Sequence, residues 1–187
     1  SFDISRMINQ LIEEENDSSI FNNFSSKFEV QIDKVYLDQT SYINNFLGTI
    51  NIKKNKIDDV NLNSSFPNGK KILLTVKKNI NNEKITTFFS GNPQPLVKRY
   101  NFIKGFDGGI LDFYSIKKNG VSNSLLTIDD FKVQEVPVLA KLLSLASLQG
   151  IADLLTGEGI RFNNFEMKFS NKKGLMTIEE MYAIGPA

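Results

Sequence analysis

The sequence predicts a mainly β (α+β) protein: a curved antiparallel β-sheet shaped like a groove, with one long apolar helix and one or two short helices packed on it. Three observations predict this class. From Phe28 to Phe89 apolar and polar residues alternate in short runs. Asn, Gly and Pro punctuate the gaps between those runs, at Asn44–Asn45, Lys54–Asn55, Pro67–Asn68–Gly69 and Asn81–Asn82. Near the C-terminus an almost wholly apolar stretch, Val138–Leu155, leads through Gly157 and Gly159 into two more alternating segments. Period two with regular turns is the mark of an antiparallel meander having one apolar face.

The elements follow in order. Ile4, Met7, Ile8, Leu11 and Ile12 recur at helical spacing, so residues 2–20 are predicted to form an amphipathic helix. The meander then reads as Phe28, Val30 and Ile32; Phe46, Ile50 and Ile52 around Gly48; Val60, Leu62 and Phe66; Ile72, Leu74 and Val76; and Ile85, Thr87 and Phe89. Pro93 and Pro95 suit the start of a short helix whose buried face is Leu96, Val97 and Tyr100. A glycine turn, Gly105–Gly109, precedes strands over Ile110–Ile116 and Val121–Val133, and Asn119–Gly120 between them is a hairpin signal. These divide one segment, 1–187, into an N-terminal helix plus meander (1–90) and a C-terminal part (91–187). Ser1 in place of Met, and an unfinished strand before Ala187, suggest an excerpt from a longer chain.

Pro137 opens the apolar stretch Val138–Leu155. On a helical wheel Lys141, Ser144, Ser147, Gln149 and Asp153 scatter and leave no wide polar face. A helix apolar on all sides must be covered on all sides. It is borderline in length for a bilayer span and carries two charges, so burial against the sheet's concave face is the expectation.

Composition removes whole classes of chemistry. The 187 residues contain no Cys and no His. Disulfides, thiol nucleophiles, Cys-ligated metals and His-based triads are therefore impossible within this sequence. Net charge is +1, with no broad basic field for nucleic acid. Lysine pairs such as Lys53–Lys54, Lys77–Lys78, Lys117–Lys118 and Lys172–Lys173 read as solvated hairpin ends.

Motifs point away from catalysis. The Gly105–Gly109 turn lacks the strand-before, helix-after context of a phosphate loop. Asp129–Asp130 and Glu179–Glu180 are neighbours on strands and point to opposite faces. Ser170–Asn171–Lys172 and Ser26–Lys27 are turn chemistry rather than a nucleophile set. The expectation is a non-enzyme with no cofactor and no metal. What remains is apolar surface: 15 Phe, no Trp, and a cluster after the predicted helix. Either an ordinary core or a groove for an apolar ligand accounts for it. The candidate groove residues are Leu139, Leu143, Leu154, Phe162, Phe165, Met167 and Phe169.

The ordered series LLTIDDFKV (Leu125–Val133), PVLAKLLSLASLQGIADLL (Pro137–Leu155), GEGIRFNNFEMKFS (Gly157–Ser170) and KKGLMTIEEMYAIGPA (Lys172–Ala187) resembles the C-terminal region of the AsmA-like superfamily, especially its YhdP-type branch. PLVKRYNFIKGFDGGILDFYSI (Pro95–Ile116) resembles the helix, glycine turn and strand that precede this block. About half the chain carries the likeness, through the order of the pieces rather than any one motif. The Asn- and Lys-rich hairpins depart from the family pattern. The resemblance implies a periplasm-facing protein anchored in the inner membrane. It would carry phospholipid along an apolar β-groove between inner and outer membranes and keep the outer membrane intact. It carries over no catalytic or individual ligand residue. The alternatives are an assembly scaffold docking envelope proteins through the same face and, more remotely, a hydrolase without His.

Overall fold

The computed structural model describes residues 25–54, 56–100, 105–134 and 159–186. Among these residues nine strands make one sheet: β1 (Ser26–Tyr36), β2 (Tyr42–Lys53), β3 (Lys56–Ser65), β4 (Lys71–Lys78), β5 (Lys84–Ser90), β6 (Asp107–Lys118), β7 (Val121–Val133), β8 (Ile160–Lys172) and β9 (Leu175–Ile184). A short helix, α1 (Gln94–Tyr100), lies between β5 and β6. Spatial order equals chain order, every neighbouring pair is antiparallel, and the sheet is open with β1 and β9 as its edges.

Turn chemistry explains the tight connections. Asn119 and Gly120 both have positive φ (52° and 75°), as the two-residue turn between β6 and β7 requires. Lys173 and Gly174 repeat this between β8 and β9. In the β1–β2 turn the Asp38 carboxylate accepts hydrogen bonds from the backbone N–H groups of Thr40 (2.7 Å) and Ser41 (2.6 Å). These bonds hold its carboxyl down to about 2.

Alternation is broken in several places, and two of the breaks show how the apolar side chains are kept together. Asn45 in β2 has positive φ, and the β1–β2 ladder skips the pair Asp33/Asn45. Ile32 and Val35, or Ile43 and Phe46, therefore join the same core although their spacing is odd. The second break crosses three strands, at Gly108–Gly109 in β6, Asp130 in β7 and Asn163 in β8. Beyond it Phe106, Phe131 and Phe162 stack with centroid separations of 5.4 and 5.2 Å.

Two clusters result. The first unites β1–β4: Val35, Ile43, Phe46, Val60, Leu62 and Val76 are buried, with Leu37 and Phe66 from the turns. The second holds Val97, Phe106, Ile128, Phe131 and Val133. Helix α1 touches both, through Leu96 on the first and Val97 in the second.

The sheet corrects the expected fold class. Among the described residues α1, seven residues long, is the helical element, and no long apolar helix rests on the sheet. The 138–155 segment, with Leu139, Leu143 and Leu154, lies outside the described residues, as does the predicted helix over 2–20. Apolarity on all sides shows that a segment needs cover but does not specify the surface. The first cluster gathers its members from four strands, their turns and Leu96, with Val60 and Val76 at 1% and 0% exposure. Among the described residues no helix is long and apolar enough to cross a membrane.

Candidate functional site: an apolar face across nine strands

Register sorts the side chains into rows. Val30 pairs with Gly48, Gly48 with Leu62, and Leu62 with Leu74. Leu74 pairs with Phe88, Phe88 with Phe113, Phe113 with Leu126, Leu126 with Met167, and Met167 with Met181. One row of directly opposed residues thus crosses all nine strands without a charge. At about 4.8 Å per strand it is about 38 Å long. Gly48 belongs in it for a steric reason: a Cβ there would overlap Leu62 and the Asn61 carbonyl oxygen.

Flanking rows are more mixed. Val76, Thr86, Ser115, Ser124, Phe169 and Ile178 form one, in which Ser124 donates a hydrogen bond to Ser115 (2.9 Å). Ile72, Ser90, Leu111, Ile128, Phe165 and Ala183 form the other. The buried Ser90 hydroxyl has no hydrogen-bond partner there. A small apolar pocket of about 60 Å³ opens on this side, between Leu37, Phe46, Leu62, Ile72, Phe88 and Leu96.

Exposure jumps at the last strand. Leu74, Phe88, Phe113, Leu126 and Met167 are half-buried alike, Ser90, Ser115, Ser124 and Ile128 in the flanking rows are buried, and Met181 is 60% exposed. Every described residue of β9 up to Ile184 is exposed.

The opposite face is mixed: Leu47, Leu73, Phe89, Ile85, Ile116 and Leu125 stand on it among polar and charged side chains. Thr75 and Thr87 share a hydrogen bond of 2.6 Å, and the Asn164 amide donates to Asp129 at 2.7 Å. Lys168 bridges Glu180 (2.7 Å) and Glu166 (3.3 Å). Asp112 also lies there; burial raises its carboxyl above the ordinary range, and the nearby Asp129 charge adds to this. Two carboxylates beside one amide do not make a metal centre: among the described residues no group of three or more such ligands converges.

Of the expected groove residues, Phe165, Met167 and Phe169 stand together on the apolar face of β8. Phe162 lies beyond the Asp130/Asn163 break, stacked on Phe131 and packed on the second cluster. Leu139, Leu143 and Leu154 lie outside the described residues. Sequence reasoning missed Phe88, Phe113, Leu126 and Met181. In β5, Lys-Ile-Thr-Thr-Phe-Phe-Ser alternates equally well in either phase. Pairing decides it: Leu74 faces Phe88, which sends Ile85, Thr87 and Phe89 to the mixed side.

The fold and face define a single-sheet antiparallel meander with one apolar side. The chain matches no protein-family profile, no curated protein and no solved structure.

Proposed function

We propose that this sheet carries the acyl chains of phospholipid on its apolar face, as a segment of a periplasm-facing, inner-membrane-anchored protein that moves lipid between inner and outer membranes. The nine-strand apolar row carries this reading. An acyl chain leaving a membrane loses about 0.8 kcal/mol for each CH₂ exposed to water. A continuous apolar row longer than the hydrocarbon core of a bilayer, about 30 Å, lets a chain pass from strand to strand without that exposure. The resemblance of the Pro93–Ala187 half to AsmA-like proteins agrees with it. No reactive group is needed, because the work is transfer between apolar surroundings.

Native mass spectrometry of the purified protein, with organic extraction and lipid identification, tests the reading. Stoichiometric phospholipid is expected, lost in Met167→Asp and Phe169→Asp and kept in Asn123→Asp on the opposite face. A folded protein that carries no lipid and takes up none from vesicles sinks the proposal.

A second reading is favoured by one observation. Edge strand β9 exposes Leu175, Met176, Ile178, Met181 and Ile184 together. An apolar free edge is a template for another strand, and in this reading the sheet is a scaffold that docks envelope proteins. Shielding of β9 amides by a protein partner, with no lipid bound, separates the two.

A further inference from the structure

The two edges of the sheet are built differently. Charged residues of both signs run along β1, at Lys27, Glu29, Asp33 and Lys34. Lys27 bridges Glu29 at 2.9 Å, and Lys34 lies 4.2 Å from the centre of the Tyr42 ring. The apolar residues Val30, Ile32 and Val35 pack into the first cluster. Charges of this kind keep a free edge from pairing with other chains. Strand β9 has no such guard. It holds no Lys, Arg or Pro, and all 10 of its residues are exposed. Met176, Ile178 and Met181 follow the apolar rows, while Leu175, Tyr182 and Ile184 stand on the other face. A strand apolar on both faces has the pattern of an interior strand, yet among the described residues β9 is paired on one side only.

The charges of β9 are of one sign. Glu179 is the extra residue of a bulge between the pairs Lys168/Glu180 and Phe169/Ile178. Lys168 already serves Glu180 at 2.7 Å and Glu166 at 3.3 Å, and Glu179 has no cation among the described residues. The next lysine on this strand pair, Lys172, is opposite Leu175. That is about 13 Å along the strand from Glu179, beyond the roughly 8 Å reach of exposed charges at physiological salt. One lysine thus stands among three carboxylates beside the free edge.

A second copy fits this edge poorly. Antiparallel pairing about a two-fold axis, with Met181 opposite Ile178 to keep the apolar rows continuous, sets Glu179 against Glu180 twice. Like charges directly opposed destabilise a strand pair, whereas opposite charges stabilise it.

We infer that β9 accepts an extended segment of a partner protein that alternates apolar and polar residues and carries Lys or Arg opposite Glu179 and Glu180. This gives the scaffold reading its partner and rests on that reading. Main-chain hydrogen bonds to the free edge supply the affinity of such pairing, and side chains supply the choice of partner.

The test uses the whole chain and two synthetic peptides as long as β9. Both alternate Val and Thr; one carries a central pair of Lys and the other a central pair of Glu. Hydrogen exchange of the β9 amides reports pairing, and titration gives relative affinity. The Lys peptide is expected to slow exchange along β9 and to bind about tenfold more tightly than the Glu peptide. Glu179→Lys/Glu180→Lys should reverse that order. Glu179→Lys alone, which leaves the Lys168–Glu180 bridge intact, should narrow it, and circular dichroism checks each fold. Equal protection by both peptides, unchanged in the folded variants, upholds β9 as a docking strand and overturns the basic partner. Protection by neither overturns the basic partner and the scaffold reading together. Protection that needs no peptide and grows with protein concentration puts a second copy on the edge and overturns the basic partner.

Discussion

Val76 and Ile178 occupy one row of one face, five strands apart, yet the first is fully buried and the second is 53% exposed. Between them the composition changes. Rows in β1–β4 are filled mostly by Val, Ile, Leu and Phe, with Gly48 and Ser64 among them, and the apolar members meet in a buried cluster. In β5–β8 Thr86, Ser90, Ser115, Ser122 and Ser124 interrupt the large side chains on the same face. The difference teaches that alternation assigns a side chain to a face, whereas its neighbours across the strands decide whether that face closes. A closed half anchors the sheet, and a half-open one offers surface.

The contrast can be broken first by truncation. Leu62→Ala, in the closed half, should cost about 2–5 kcal/mol, whereas Met181→Ala on the exposed edge should change stability by less than about 0.5 kcal/mol. Urea unfolding of both variants measures the gap; equal losses would abolish the distinction. Gly48→Ala should cost about 1–3 kcal/mol, because the new methyl must displace Leu62 or the β3 backbone. An unchanged denaturation midpoint would show that β2 and β3 are loosely joined.

Two serines sharpen the picture at smaller scale. Ser124→Ala leaves the buried Ser115 hydroxyl without its partner and should lose about 1 kcal/mol. Ser90→Ala removes a buried hydroxyl that has none and should be neutral or gain about 1 kcal/mol. A loss at Ser90 would mean that its hydroxyl is used.

Acid titration gives the two halves opposite signs. Asp38, in the β1–β2 turn, is lowered from 3.8 to about 2. Its contribution is present above pH 3.8 and disappears as the pH falls towards 2. Asp112, in β6, is raised. The native state keeps its proton above pH 3.8 when the unfolded state has lost it, so stability falls as pH rises through that window. Melting temperatures followed against pH should show a smaller acid-side drop in Asp38→Asn, with Asp58 and Glu83 still contributing to it, and lose the opposite slope of Asp112 in Asp112→Asn.

Much of the sheet was legible in the sequence, and for local reasons. Asn119–Gly120 set a turn that only positive φ satisfies, and β7 begins and ends where Val121–Val133 was expected. Pro93 placed α1 and its two apolar contacts. Phe165, Met167 and Phe169 share a face because period two holds between them, whereas Phe162 falls past a break that Asn163–Asn164 gave no means of foreseeing. The phase of β5 depends on its partners, and a strand alone does not carry it. A row of lysines was hidden for the same reason: Lys78 and Lys117 read as separate hairpin ends until pairing sets each of them beside Lys84. The expectation of a long helix on the sheet came from a segment outside the described residues, judged by its composition without a partner surface.

Chain order and spatial order coincide throughout this sheet, and each strand is bonded only to its sequence neighbours. Such a meander is modular. A hairpin can be added or deleted at any of its tight turns, and the remaining ladders keep their register because none spans the insertion. Length then becomes a property that selection can tune two strands at a time, roughly 10 Å per hairpin. A sheet built this way can change its span without redesigning its core.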